Sequence, residues 1–274
     1  MKRLLTALVG SPLVIAAVFL LPDWGLFLFL GVGVVGAAVE LARIARFWVP
    51  DAPLGLLPVA VLLAAAALCF LPDAMANAAP RAPLIALFVA LAVLALGGAF
   101  AVLLCRTPME QSLSAVGVLT FGTLHLAVPA AALVYLQRED PWLLILTLGV
   151  VWVGDAAAYY VGSRFGKHKL SPVVSPNKSW EGAAASFTIA LLVTVAWSLW
   201  HLGGIEPMLL GVAAATSVAA QMGDLVESMF KRGAGVKDSG HSLPGHGGWY
   251  DRIDALLFGA PVMLLGWWLL GLPY

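Results

Sequence analysis

Ser228-Met-Phe-Lys-Arg-Gly-Ala-Gly-Val-Lys-Asp-Ser-Gly-His-Ser-Leu-Pro-Gly-His-Gly-Gly-Trp-Tyr-Asp-Arg-Ile-Asp254 is a charged island in an oily chain. It gathers Lys231, Arg232, Lys237, Asp238, His246, Asp251, Arg252 and Asp254 into one short connection. Both charge signs side by side, with glycines that allow close backbone approach, suit a phosphate-rich ligand and a divalent cation. The flanking segments, about 207–228 and 253–272, are apolar enough to be membrane spans. The connection therefore belongs at a membrane surface, and the fold must be an all-α, polytopic membrane protein.

Composition agrees. Hydrophobic residues make up 61% and charged residues 11% of the chain, and the mean hydropathy is +0.95. Water-soluble domains do not reach those values. Apolar runs of about twenty residues recur, the length needed to cross a bilayer core of roughly 30 Å. About nine spans are expected, near 4–21, 24–45, 54–71, 82–105, 112–136, 141–162, 181–203, 207–228 and 253–272. With the N-terminus in the cytoplasm, this count leaves only Arg81 and Arg138 outside, so thirteen of the fifteen Lys and Arg lie inside. Positive residues favour the cytoplasmic side, which supports both an odd number of spans and this orientation. The first span has a basic start but no evident small-residue cleavage site, and is expected to remain as a helix. Cys69 and Cys105 lie in apolar segments without ligand spacing and read as packing residues.

The chain changes character near residue 141. Residues 1–141 form an Ala/Leu/Val-rich set of helices in which few ionisable groups fall inside a span. Glu40 is the clearest, read as packing or pairing with a neighbour such as Arg43, and His125 reads as a hydrogen-bonded interior histidine. Residues 142–274 carry the polar groups and form the catalytic part of one integral membrane unit. Gly211 to Ala220 is a run of small residues that lets helix backbones approach closely. No internal repeat is visible, which counts against transporters built from duplicated halves.

Three constellations carry chemistry. At helical spacing Gln221, Asp224, Ser228 and Lys231 share one face. A carboxylate within a membrane helix costs about 2.5–3.5 kcal/mol on insertion scales and needs a partner or a wet cavity. For Asp224 that partner is a cation or, alternatively, Lys231 or Arg232. Asp251 and Asp254 stand three apart at the start of the last span, where a helix dipole also favours carboxylates as caps. The two spans are antiparallel, so their ends can bring Asp224 and Asp251 within about 6 Å, and waters with phosphate oxygens would complete a magnesium shell. The third constellation, Gly162 to Gly182, holds Arg164, Lys167, Lys169, Lys178 and Glu181. Ser175-Pro-Asn-Lys178 reads as a tight turn entering a helix, where hydroxyl, lysine and helix start converge as in anion sites. A basic loop that only fixes topology is the alternative, chiefly for Lys169.

Together these residues resemble the signature of phosphatidate cytidylyltransferases, the CDP-diacylglycerol synthases. The match comprises Ser228-x-x-Lys231-Arg232, Lys237-Asp238, Leu243-Pro-x-His246-Gly-Gly248 and Asp251-Arg252-Ile-Asp254. The Asp155–Gly182 region adds Ala158-Tyr-Tyr-x-Gly162, Phe165-Gly-Lys167 and Ser175-Pro-x-Lys178-Ser-x-Glu181-Gly182. The resemblance is specific over about 150–255 and general before it. Trp249, Ala255 and Asn177 depart from the family's usual residues; none is a metal ligand or phosphate-binding cation. The resemblance implies transfer of CMP from CTP to phosphatidic acid, with magnesium as two ions and manganese as an allowed substitute. It assigns Asp224 and Asp251 to metal, and Lys178, Lys231, Arg232 and Lys237 to phosphates. Arg164, Ser175, Ser228 and His246 join them as substrate-binding candidates, with Asp155, Glu181, Asp238, Arg252 and Asp254 as supporting residues.

The expected partners are CTP, phosphatidic acid, the bilayer and, in an allowed homodimer, a second copy of the chain; nucleic acid is not expected. The expected place is a bacterial cytoplasmic membrane, with a polar cavity open to the cytoplasm. The rival reading is an ion- or proton-coupled transporter using Asp155 and Asp224, and a third is an inactive membrane scaffold.

Overall fold

A computed structural model describes residues 2–75, 82–242 and 247–271, so His246 lies outside the described residues. Nine α-helices run through them: α1 (Lys2–Leu20), α2 (Asp23–Ala45), α3 (Leu57–Met75), α4 (Ala82–Leu104), α5 (Met109–Glu139), α6 (Pro141–Phe165), α7 (Trp180–His201), α8 (Pro207–Gly233) and α9 (Tyr250–Leu270). Seven of them, α2, α3 and α5 through α9, are long and apolar enough to cross a bilayer. In α1 and α4 only the shorter apolar stretches Gly10–Leu20 and Leu91–Leu104 are found. The chain is thus an all-α polytopic membrane protein, with seven candidate spans among the described residues where nine were expected.

Its surface is apolar as well as its interior. Leu63, Leu96, Leu192 and Leu265 point outward, each more than half exposed, as lipid-facing side chains do. Thr123, Thr147 and Thr194 are buried. Each hydroxyl donates to the carbonyl four residues earlier, at 2.7, 2.9 and 2.8 Å respectively. That local bond satisfies a hydroxyl where no water is available.

The chain divides into two compact units, Met1–Val134 with Gly233–Arg252, and Tyr135–Arg232 with Ile253–Tyr274. In the first, α3 packs on α2 and α4. Cys69 is buried there against Ala131 and Val134, with Phe27, Leu30, Leu68 and Phe70 around it, so its reading as a packing residue holds. The indole of Trp249 lies over Gly33 and Gly36, which have no side chains to obstruct it.

In the second unit α6 and α7 pack along their length. Gly154, Ala158 and Gly162 recur every four residues on α6, and Gly182 and Ser186 do so on α7. A methyl on Gly182 would stand 2.7 Å from the Ala158 carbonyl oxygen, and one on Gly154 would stand 2.8 Å from Ser186 Oγ. Small residues bring backbones together because lipid supplies no hydrophobic drive between helices.

Asp140 caps α6 by accepting from the Trp142 N–H at 2.9 Å. His201 at the far end of α7 pairs with it at 2.7 Å. Trp142, Trp197, Trp200, Tyr135 and Trp268 cluster at this end, with Trp197 Nε1 donating to the Trp142 carbonyl at 3.0 Å. Such a belt suits a membrane–water interface. Arg164, Lys178, Asp224, Lys231 and Asp254 lie toward the opposite ends of α6 to α9, about 37 Å away along α6 at 1.5 Å per residue.

Candidate active site

The link between α6 and α7 is a small antiparallel hairpin, β1 (Lys169–Ser171) and β2 (Ser175–Ser179), with Lys169 opposite Ser179 and Ser171 opposite Ser175. The Ser175–Lys178 stretch is therefore a strand, where a tight turn was expected. It does lead into a helix: Ser179 Oγ caps α7 by accepting from the Gly182 N–H at 3.2 Å. The cap and the hairpin register fix Lys178 two residues before the first residue of α7.

Helix α8 is longer than its apolar part. It continues to Gly233, so Ser228, Lys231 and Arg232 are helical and not part of the connection. Two features extend it. Cations in a last turn are favoured by the helix dipole, and Glu227 pairs with Lys231 at spacing four, 3.0 Å apart. Gly223 faces α9: a methyl there would meet the Asp254 carbonyl oxygen at 2.5 Å and the Phe258 ring at 3.0 Å. Gly259 on α9 answers it, lying over Thr216, Ala220 and the α6 residue Val151.

This close crossing brings three carboxylates together. Asp224 and Glu227 of α8 and Asp254 of α9 each offer an oxygen, and these lie within 4.8 Å of one another. Glu227 is almost fully buried. Lys178 Nζ approaches Asp224 Oδ2 at 2.6 Å, and Ser228 Oγ donates to Asp224 Oδ1 at 3.4 Å. The local alternatives for Asp224, pairing with Lys231 or Arg232, give way to Lys178, and Lys231 sits on Glu227. Convergent carboxylates with ammonium groups already seated on two of them form a donor set that fits a hard divalent cation. Glu227 was not among the expected site residues; its spacing from Asp224 and Lys231 was the available signal. Asp254, expected only as a supporting residue, supplies the α9 carboxylate of the group.

The other candidates are placed as follows. Gln221 Nε2 bonds the Ser217 hydroxyl at 3.4 Å and the Ala183 carbonyl at 3.5 Å. Glu181 holds His168, its Oε1 2.7 Å from Nδ1, and so orders the hairpin. Arg164 is exposed, its guanidinium 5.8 Å from the Phe165 ring centroid. Ser175 is half-buried on β2, while Asp155 and Arg232 are exposed on their helices.

Asp251, in the first compact unit, accepts from the backbone N–H groups of Ser239 at 3.0 Å and Gly248 at 2.8 Å. Lys237, Asp238 and Arg252 of the same unit are exposed. Glu40, expected to pair with a neighbour such as Arg43, instead accepts from Ser239 Oγ, Ser242 Oγ and the Tyr250 N–H at 2.9, 2.8 and 3.0 Å. His125 is the half-buried, hydrogen-bonded histidine that was expected, its Nε2 2.9 Å from the Tyr250 hydroxyl.

Comparison with known proteins places the chain in a family. The chain is 45% identical over 122 residues to the phosphatidate cytidylyltransferase of Staphylococcus aureus strain COL, covering 42% of this chain and 44% of the relative. The protein of that name in Staphylococcus haemolyticus is 43% identical over 138 residues, covering 47% and 50%. That of Haemophilus influenzae is 42% identical over 132 residues, covering 45% and 46%. The matches span about half the length of these curated relatives or less. The model described as Cytidylyltransferase family matches residues 1–270, nearly the whole length of this sequence, and the chain belongs to that family.

Proposed function

We propose that this chain transfers a cytidylyl group from CTP to phosphatidic acid, giving CDP-diacylglycerol and pyrophosphate. The observation that carries the reading is the meeting of Asp224, Glu227 and Asp254 with the Lys178 and Lys231 ammoniums at one end of a membrane helix bundle. The family narrows the chemistry to cytidylyl transfer, and the relatives' names supply the lipid substrate. A lipid phosphate oxygen attacks the α-phosphorus of CTP in line. A new P–O bond forms, the bond to the bridging oxygen breaks, and its electron pair departs with pyrophosphate. A phosphate monoester is already ionised near neutral pH, so no side chain has to remove a proton. Both reactants are anionic, and charge neutralisation and positioning are what the protein must supply.

Asp224 and Asp254, with Glu227, are the residues that would hold magnesium in the second unit; Asp251 is proposed as a ligand on the resemblance of its run. Magnesium held there would withdraw charge from phosphoryl oxygens. Lys178 is held at Asp224 by a 2.6 Å ion pair, ready to turn to a phosphate oxygen. Lys231 is fixed by Glu227 in the same way. Arg232 and Lys237 add cations for the triphosphate and the lipid phosphate, with Arg164, Ser175, Ser228 and His246 as further substrate contacts. The distribution of Lys and Arg supports a site on the cytoplasmic side of a bacterial membrane, in a cavity lined by α6, α8 and α9.

The test is release of labelled pyrophosphate from CTP by the purified full chain, dependent on phosphatidic acid and magnesium. No release under those conditions would overturn the reading. Proteoliposomes that carry ion or proton flux without consuming CTP would restore the transporter alternative. Lys178→Ala is expected to lower kcat/KM for CTP by about 10²-fold while the thermal transition stays in place. Steady-state kinetics on the folded variant check this, and unchanged kinetics would leave Lys178 as a topology marker.

A further inference from the structure

We infer that Glu40, on α2 and nearly two hundred residues from the signature loop, is a positioning residue for the amino-terminal turn of α9. The inference rests on the cytidylyl-transfer reading only for its kinetic consequence. A carboxylate in the interior of a membrane protein is costly unless it is fully engaged, and Glu40 is 1% exposed. Its two oxygens accept from three donors of one segment: Ser242 Oγ on Oε1, and Ser239 Oγ with the Tyr250 N–H on Oε2. Tyr250 is the first residue of α9, so the carboxylate also lies where the helix dipole favours negative charge.

Ser239 makes the arrangement a clamp. Its hydroxyl donates to Glu40 while its backbone N–H donates to Asp251. One residue thus ties the buried α2 carboxylate to the signature aspartate. Gly240 and Gly248 are needed on either side. A methyl on Gly240 would lie 2.5 Å from Glu40 Oε1, and one on Gly248 would collide with Glu40 Oε2 and Ser239 Oγ. The Gly248 N–H completes the set by donating to Asp251 at 2.8 Å. On the other side of the turn, the Tyr250 hydroxyl meets His125 at 2.9 Å, and the Trp249 indole occupies the groove left by Gly33 and Gly36. Every one of these contacts orders the same few residues, those that set where Asp251 points and where α9 begins.

The Glu40 carboxylate does more than fill space. An apolar residue on α2 would pack at lower desolvation cost, but it could not accept from a backbone N–H at the first residue of a helix. The segment therefore depends on a carboxylate here, and its effect reaches the chemistry through Asp251 and the α9 turn, without contact to substrate.

The experiment compares Glu40→Ala and Glu40→Gln with the wild-type full chain in detergent. Amide hydrogen exchange is read at Ser239, Gly248 and Tyr250 and across α6–α7, and kcat and the KM for CTP are measured per folded protein. Glu40→Ala is expected to speed exchange at the loop amides by at least about tenfold, leave α6–α7 unchanged, and lower kcat by about 10²-fold with the KM for CTP nearly constant. Glu40→Gln keeps one oxygen for Ser239 and Tyr250 and should recover most of both effects. Wild-type loop exchange in Glu40→Ala overturns the inference. Faster loop exchange with unchanged kcat also overturns it, since the clamp would then be structural only. Exchange that rises equally in α6–α7 overturns it as a global loss of stability. If Glu40→Ala does not fold, Ser239→Ala removes the bridging hydroxyl and is read by the same criteria. If the wild-type chain does not turn over CTP, the proposed reaction fails, and loop exchange alone decides whether Glu40 orders the α9 turn.

Discussion

Asp224→Asn is expected to lower turnover by about three orders of magnitude while the protein still inserts and folds. The carboxylate stands at the centre of the acidic group, within 4.8 Å of Glu227 and Asp254 and 2.6 Å from Lys178. An amide keeps the shape and can still accept from Ser228, but it is a poor ligand for a hard divalent cation and no longer holds an ammonium. The measurement is pyrophosphate release at saturating CTP and phosphatidic acid, with size-exclusion and thermal profiles to verify folding. A near-normal rate at limiting magnesium would remove Asp224 from the metal set. Asp251→Asn separates a different role. An asparagine oxygen can still accept from the Ser239 or Gly248 N–H, so a large loss in that variant would identify the charge of Asp251 as what matters.

Gly223→Ala should be nearly as damaging, although it adds one methyl and touches no charged group. That methyl would lie 2.5 Å from the Asp254 carbonyl oxygen. Backbone cannot swing aside as a side-chain end can, so α9 must withdraw by roughly 1 Å to restore ordinary packing. The expected cost is about 1–3 kcal/mol of stability and about 10²-fold in turnover, because Asp254 moves with the helix. Gly211 on the same helix has nothing within 4 Å of its would-be methyl. Gly211→Ala should therefore be silent or slightly stabilising, since alanine favours helix. Thermal unfolding in detergent and kcat for the two variants decide the matter, and equal behaviour would mean that the α8–α9 crossing does not position the site.

The helices were legible in the sequence because lipid imposes a simple rule on length and hydropathy. The start of α6 at Pro141 and of α8 at Pro207 agree with the expected starts. Where charge decides an end, the rule fails. Helix α8 runs on through Lys231 and Arg232, and α9 opens at Tyr250, because dipole and ion-pair terms are invisible to hydropathy. Pro176 and Asn177 read as turn residues, yet they sit in a two-stranded hairpin, where proline is tolerated because both strands are edges. The acidic site was half visible. Asp224 stood out as a carboxylate on an apolar helix, while Glu227 was one of several polar residues near the end of the same helix. Its approach to Asp254 depends on the Gly223 crossing, which no local pattern announces. Glu40 shows the same limit more sharply, for its donors lie 199 to 210 residues away.

The glycine seam between α6 and α7 has a consequence for how this protein tolerates mutation. Leu192 and Leu265, facing outward, should exchange freely among leucine, isoleucine, valine and phenylalanine, because fluid lipid accommodates any of them. Gly154, Gly162 and Gly182 have almost no room, since even a methyl on Gly182 meets the carbonyl of Ala158. A saturation library scored for folded protein would then show harsher intolerance at the small residues of this seam than at the large side chains that face outward. In a water-soluble enzyme the large buried side chains are the vulnerable positions; here the glycine, alanine and serine of a helix seam join them.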